Sequence, residues 1–187
     1  MTSGRIRRAQ LVSPFGVGAM SVLVDGTSVI TAGLDHWFPR NNTNLALEDF
    51  RVHDWRLEAR LKVQEFRLPP DYRQGSLEDH RNERLSVPAL RFPCYSFCMY
   101  CKRLMKTPLS YQDIVRCDEP TCIGKRRFGP KMSQVPFVVI CANGHIDDFP
   151  FRKWVHRSKD PSCTGVLRLF STGGGGLEGQ VVRCGYD

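Results

Sequence analysis

Two close cysteine pairs constrain this chain more than anything else in it. Cys98-Met-Tyr-Cys101 and Cys117-Asp-Glu-Pro-Thr-Cys122 are separated by 15 residues. That spacing suits a tetrahedral Zn2+ site, with two thiolates on one short turn and two on another. A tight turn carries both sulfurs of a pair to the same side, so they can close on one ion without strain. Four thiolates leave no coordination position for a substrate, which marks this stretch as scaffold and not as a reaction centre. The alternative is a set of reduced cysteines packed as small hydrophobes, and it has to explain both the pairing and the polar surroundings. Cys94, four residues upstream of Cys98, is one thiol more than the site needs and reads as structural.

A second constellation is looser. Cys141 and His145 share one Asn-Gly turn, Cys163 follows Pro161-Ser162, and Cys184 ends an apolar run. Cys141, His145, Cys163 and Cys184 are therefore expected to form a second Zn2+ site. His156 is the alternative ligand, weaker because it falls on an expected helix. The plainer reading keeps His145 as a hydrogen-bonding turn residue and Cys163 and Cys184 as buried thiols. His145 with Asp147 and Asp148 also resembles the donor set of a metal-dependent nuclease or hydrolase. Against that stands a helix N-terminus with acidic caps. Cys141 and His145 as nucleophile and base lack a third, orienting residue. Thr172 and the four glycines behind it lack the Gly-Lys-Ser/Thr ending of a phosphate loop and read as a hairpin loop.

Compartment and charge narrow the partners. The opening residues are charged with no apolar segment behind them, so a secretory signal is not expected. Nor does any run approach the ~18 apolar residues of a membrane helix. Reduced thiols and a cytoplasmic location follow as expectations for the eight cysteines. Lys and Arg total 27 against 19 Asp and Glu, a net charge of +8. Lys102, Arg103, Lys125, Arg126 and Arg127 flank the two cysteine pairs and are the candidate contacts to DNA phosphates. A mildly basic, solvated surface is the plainer account. Phe92, Tyr95, Phe97 and Tyr100 interleave with these bases, either to stack on unpaired bases or to pack around the metal.

The chain reads as a small α+β protein with short strands and hairpins, few short helices and a zinc-ribbon-like module. Three stretches are expected: 1–86, 87–131 with the cysteine module, and a β-rich 132–187. In the first, Ser21–Val24 and Ser28–Ala32 flank Asp25-Gly26, a hairpin signal. Asp54–Lys62 predicts a short helix with Leu57 and Leu61 on one face and Glu58 paired to Lys62. In the second, Val87–Phe92 runs extended and Leu109–Val115 is a further candidate strand. In the third, Val135–Ile140 predicts a strand and Asp147-Asp148 caps a short helix with Trp154 and Val155 facing the core. Val166–Phe170 and Gln180–Arg183 predict two strands around the glycine loop.

Three motifs together resemble a known family. They are Arg7-Arg8-Ala-Gln-Leu-Val-Ser-Pro-Phe-Gly-Val-Gly18 with Ala32-Gly-Leu-Asp35, Val87-Pro-Ala-Leu-Arg-Phe-Pro93, and Val138-Val-Ile-Cys-Ala-Asn-Gly-His-Ile-Asp-Asp-Phe-Pro150 with Trp154-Val-His156. This looks like the N-terminal part of the DrmB family of bacterial DISARM anti-phage systems. The resemblance implies cysteine-rich Zn2+ binding, a DrmA-type helicase as partner, engagement of DNA in antiviral defence, and a longer whole protein. It supplies no catalytic residue, and Cys94 departs from it. The expectation is a non-catalytic, zinc-binding component that docks a helicase and contacts DNA. A metal-dependent hydrolase using His145, Asp147 and Asp148 is the first alternative, and an adaptor that binds only protein is the second.

Overall fold

The computed structural model describes residues 6–38, 45–72, 81–124, 128–173 and 176–185. Short antiparallel strands and short helices make up an α+β structure. The chain divides into two compact units, Thr2–Leu90 and Arg91–Asp187. The expected boundary between 131 and 132 therefore falls inside the second unit.

In the first unit, β1 (Met20–Val22) and β2 (Ser28–Thr31) form the hairpin read from Asp25-Gly26, with Met20 opposite Ile30 and Val22 opposite Ser28. Asp25 Oδ1 accepts the Thr27 N–H at 2.9 Å, and Gly26 holds φ +80°, the left-handed conformation such a turn needs. Val29 and Thr31 point inward, and the Trp37 indole donates to the Ala32 carbonyl at 2.8 Å. β3 (Arg51–Val52) pairs with β4 (Phe66–Arg67) around α1 (Trp55–Leu61). Glu65 lies between Arg51 and Arg67; the Arg67 hydrogen bond, first, and then Arg51 hold its carboxyl below the usual range. Asp54 caps α1 by accepting from Arg56 and Leu57, each at 3.1 Å. Glu58 turns back to the Asp54 N–H and to His53 in place of Lys62, which closes the helix in the left-handed conformation. No residue of α1 is buried: Trp55, Leu57 and Leu61 are all exposed. The apolar face that the spacing predicts is real but is uncovered in this chain. β5 (Ala89–Arg91) adds to β2 as the third strand of the first sheet.

The second unit is built on a sheet in which β6 (Tyr95–Phe97) lies centrally. On one side is β7 (Leu104–Lys106), with Tyr95 opposite Lys106 and Phe97 opposite Leu104. After the one-turn helix α2 (Pro120–Ile123), β8 (Ser133–Gln134) pairs on the other side. Leu109–Val115 is not a strand. Arg91 takes the Tyr111 and Asp113 carbonyls at 3.2 and 2.9 Å, and the Arg91 N–H takes that of Leu109 at 2.9 Å, so these acceptors are used outside any ladder. Val135–Ile140 is also interrupted. Val135 still donates to Tyr95, but Pro136 has no N–H, and pairing resumes only at β9 (Val139–Ile140), which folds back on β10 (Ile146–Asp147).

Then come α3 (Phe151–His156), β11 (Leu167–Ser171) and β12 (Gln180–Cys184), the last two fully paired from Leu167–Cys184 to Ser171–Gln180. Leu104, Val135, Phe151, Leu167, Leu169 and Cys184 form the buried core of this unit, with Tyr95, Phe97, Phe149 and Val155 packed on it. The Leu104–Leu169 packing spans the expected 131/132 boundary and explains why there is no separate third unit. Trp154 does not join the core; it is exposed, with one edge against Phe149. Among the interleaved aromatics, Phe92 is buried, Tyr95 and Phe97 pack on the core, and Tyr100 is exposed.

Candidate metal centre

Cys98 and Cys101 sit on the turn between β6 and β7. The Lys102 N–H bonds the Cys98 carbonyl and the Cys98 N–H bonds the Arg103 carbonyl, each at 2.9 Å. Lys102 takes φ +65° so that the chain can reverse directly behind Cys101. Cys117 follows the loop after β7, and Cys122 lies on α2, whose first residue is Pro120. The Cys117 N–H bonds the Pro130 carbonyl at 3.0 Å and the Met132 N–H bonds that of Val115 at 2.9 Å, so the returning chain braces the second pair. Gly129 lies in that brace at φ +69°; a Cβ there would stand 2.2 Å from the Cys117 carbonyl oxygen. Arg168 of β11 donates to the Cys101 carbonyl at 2.6 Å, and the Leu169 N–H bonds the Lys102 carbonyl at 2.8 Å. Neither Gly129 nor Arg168 stands out in the sequence, because their roles come from contacts 12 and 67 residues away.

These supports bring the four sulfurs together. Cys98 Sγ is 3.9 Å from Cys122 Sγ, Cys101 Sγ is 3.5 Å from Cys117 Sγ, and all four lie within 4.8 Å of one another. A tetrahedron with Zn–S bonds of about 2.3 Å has edges of about 3.8 Å, which the two measured separations bracket. A disulfide needs about 2.05 Å, and all eight cysteines are free. Burial pushes the Cys98 thiol up, but the Cys101 and Tyr100 backbone N–H groups outweigh it, and the net displacement is downward. Burial dominates at Cys117 and Cys122, and both are raised. Three of these four side chains are buried, and the apolar part of their cluster is Val115 and Met132. The donor set fits a closed four-thiolate Zn2+ site.

Cys94 lies outside this group. Its thiol is pushed up to about 11, first by burial and then by the Asp148 charge, so it stays protonated. The Cys94 N–H donates to Asp148 Oδ1 at 2.8 Å, and Asp148 Oδ2 pairs with Lys106 at 3.4 Å. That pairing also decides the position of the candidate nuclease residues. Asp148 is buried and committed to β6 and β7, Asp147 accepts the Asp148 N–H at 2.7 Å, and His145 Nδ1 faces Cys141 Sγ at 3.3 Å. Among the described residues, His145, Asp147 and Asp148 do not converge as a donor group. Asp148 also does not cap α3, whose N-cap position is Pro150. Replacing Asp148 with Ala is expected to cost about 1–3 kcal/mol through the stranded Cys94 N–H. The thermal midpoint should fall by about 3–10 °C, with metal content by elemental analysis unchanged.

The other cysteines divide differently from the expected set of Cys141, His145, Cys163 and Cys184. Cys163 and Cys184 come together at 3.5 Å, with His156 as the third member of their group. Cys141 and His145 stay on their own exposed hairpin turn, closed by Cys141 N–H to His145 O at 3.0 Å. The reason is local: the β9–β10 turn ties that pair to itself, whereas α3 ends on His156.

Of the candidate phosphate contacts, Lys102 Nζ bonds the Met99 carbonyl at 2.7 Å. Arg103 pairs with Asp118 and Glu119 at 3.1 and 3.3 Å, joining the two cysteine turns to each other. Lys125, Arg126 and Arg127 lie outside the described residues.

Comparison with known proteins agrees with the resemblance carried by the three motifs. A family model described as a domain of unknown function (DUF8724) matches residues 7–186. The DISARM protein DrmB of Bacillus paralicheniformis is 31% identical over 162 residues, covering 84% of this chain and 25% of the relative. The chain thus spans about a quarter of the length of the curated relative it matches.

Proposed function

The chain belongs to the DUF8724 family, and on that ground we propose that it is a zinc-stabilised, non-catalytic component of a DISARM-type anti-phage defence system, which associates with a DrmA-type helicase and contacts DNA. The observation that carries the metal part is the convergence of Cys98, Cys101, Cys117 and Cys122 on one point. All four donors are protein sulfurs, so the site holds loops in place and activates no water. Ligation by four thiolates leaves the short turns around the ion rigid enough to present side chains, which the loop's few apolar residues could not do alone. The defence role rests on the 31% identity to DrmB.

Docking to a protein partner is supported by α1, which presents Trp55, Leu57 and Leu61 together at the surface. DNA contact is supported by the net charge of +8 and by the Lys125-Arg126-Arg127 run beside the second cysteine pair. Arg103 contributes to the scaffold through its two acidic partners and less to DNA. Replacing Lys125, Arg126 and Arg127 together with Ala should weaken binding to duplex DNA about tenfold or more at low salt and flatten the salt dependence, with zinc retained. Fluorescence anisotropy across a salt series measures both. Unchanged affinity and slope in the triple variant would remove this run from the interface. Affinity below detection for the unsubstituted chain, with helicase capture retained, would leave the protein-only adaptor.

A further inference from the structure

We propose that His156, Cys163 and Cys184 form a second metal site, distinct from the four-thiolate cluster, that takes a borderline divalent cation such as Zn2+. Their ligand atoms lie within 4.8 Å of one another, and the two sulfurs are 3.5 Å apart. One imidazole and two thiolates are the donors such an ion selects over Mg2+ or Ca2+.

Three different segments are held for this meeting. His156 is the last residue of α3, where Arg157 turns into the left-handed conformation and ends the helix. Cys184 ends β12, fixed by its pairing with Leu167, and the following Gly185 N–H bonds the Val166 carbonyl at 2.9 Å. Cys163 lies in the irregular segment between them. Arg152, one turn before His156 on α3, holds that segment by both ends, donating to the Cys163 carbonyl at 2.5 Å and the Gly165 carbonyl at 2.9 Å. The Gly165 N–H then points at Cys163 Sγ at 3.3 Å. An amide aimed at sulfur stabilises a thiolate, and Cys98 in the first cluster receives the same kind of support.

A second observation points to a ligand. His156 Nε2 is buried and has no hydrogen-bond partner among the described residues. Buried polar nitrogens are nearly always partnered. Metal binding to this ring supplies what is missing, because one nitrogen coordinates the ion and the site's polarity is satisfied as a unit. The neutral ring and two thiolates lose two protons to solvent when a divalent ion binds, which leaves the site uncharged. The fourth tetrahedral position falls to solvent or to a donor outside the described residues. A site with three protein ligands should release its ion to a chelator before the four-thiolate cluster does.

Loading the full chain with 113Cd2+ and recording its NMR spectrum tests this without a substitution. Two resonances are expected, one in the all-sulfur range and one shifted upfield by the nitrogen donor, with the His156 ring nitrogen signals moving as the second appears. In Zn2+-loaded protein, two equivalents should be found by elemental analysis, falling to one in the Cys163→Ser/Cys184→Ser variant with the all-sulfur 113Cd resonance retained. A single all-sulfur resonance, one equivalent of zinc, or a Cys163–Cys184 disulfide in freshly purified reduced protein overturns the proposal. Absence of the all-sulfur resonance alone would instead count against the four-thiolate reading.

Discussion

Complete removal of zinc should abolish protection from hydrogen exchange at the Cys98, Lys102, Cys117 and Met132 amides, while the β1–β2 hairpin keeps its own. Those four amides make the hydrogen bonds that close the two cysteine turns. Between β7 and β8 the chain has little else to hold it. The buried side chains of its cluster, apart from three cysteines, are Val115 and Met132. Burying each contributes about 1.5–3 kcal/mol, set against backbone ordering of about 1–2 kcal/mol for every residue fixed. Structural zinc contributes about 10–16 kcal/mol in small domains, comparable to the entire stability of most folds, about 5–15 kcal/mol. Exchange at the four amides should therefore accelerate by more than about a hundredfold, since each 1.4 kcal/mol is a factor of ten.

The loss should spread in a defined direction. The Leu169 N–H donates to the Lys102 carbonyl, so that β11 amide loses its partner when the first turn opens. The Thr172 N–H, bonded to Gly179 across the β11–β12 hairpin, should be affected less. Leu23 and Thr31, whose amides bond Thr27 and Ala19 in the other unit, are the internal reference. Acid favours release, because each thiolate ligand must take up a proton to let the ion go. Exchange unchanged at Cys98 and Met132 after elemental analysis shows no metal would mean that packing alone holds this region.

The primary ligand geometry was legible in the sequence because it is local: turns two and five residues long decide whether paired sulfurs can face one ion. The same holds for the β1–β2 hairpin, for α1 and for the β11–β12 pair, each specified by residues close in the chain. The misreadings share a cause. Leu109–Val115 has strand-like composition, yet Arg91, some 20 residues earlier, takes its carbonyls. Asp148 sits where a helix cap belongs, yet its buried carboxylate answers the Cys94 amide 54 residues away. Exchanging His156 for Cys141 and His145 in the second group has the same origin. Spacing favoured the turn pair, while the outcome depends on where α3 ends relative to the loop that Arg152 holds. The four-cysteine module was misjudged only in its independence: Leu104 packs with Leu167 and Leu169, and Arg168 reaches the Cys101 carbonyl, so residues beyond 131 complete it.

Gly129→Ala should be among the most damaging single substitutions outside the ligands, and Gly26→Ala is its matched control. Both glycines have positive φ, +69° and +80°, so both substitutions incur the left-handed penalty of about 1–2 kcal/mol. They differ in what surrounds them. Around Gly26 an added Cβ meets nothing within 4 Å, whereas at Gly129 it would meet the Cys117 carbonyl oxygen at 2.2 Å. That oxygen is backbone and cannot swing aside. Relief requires either the Gly129 strand or the Cys117 peptide to move by about an ångström, and the Cys117 N–H is bonded to Pro130, the very next residue. Any such shift displaces a zinc ligand, because Cys117 Sγ lies only 3.5 Å from Cys101 Sγ in a tetrahedron of short, directional bonds. The cost should therefore exceed that of Gly26→Ala by at least about 2 kcal/mol, and it should appear in a form the control does not show. Zinc transfer to a chromophoric chelator should be faster by about tenfold or more for Gly129→Ala and unchanged for Gly26→Ala. Equal transfer rates for the two variants would show that the close approach to Cys117 does not tension the metal site, and that Gly129 matters only for its backbone conformation.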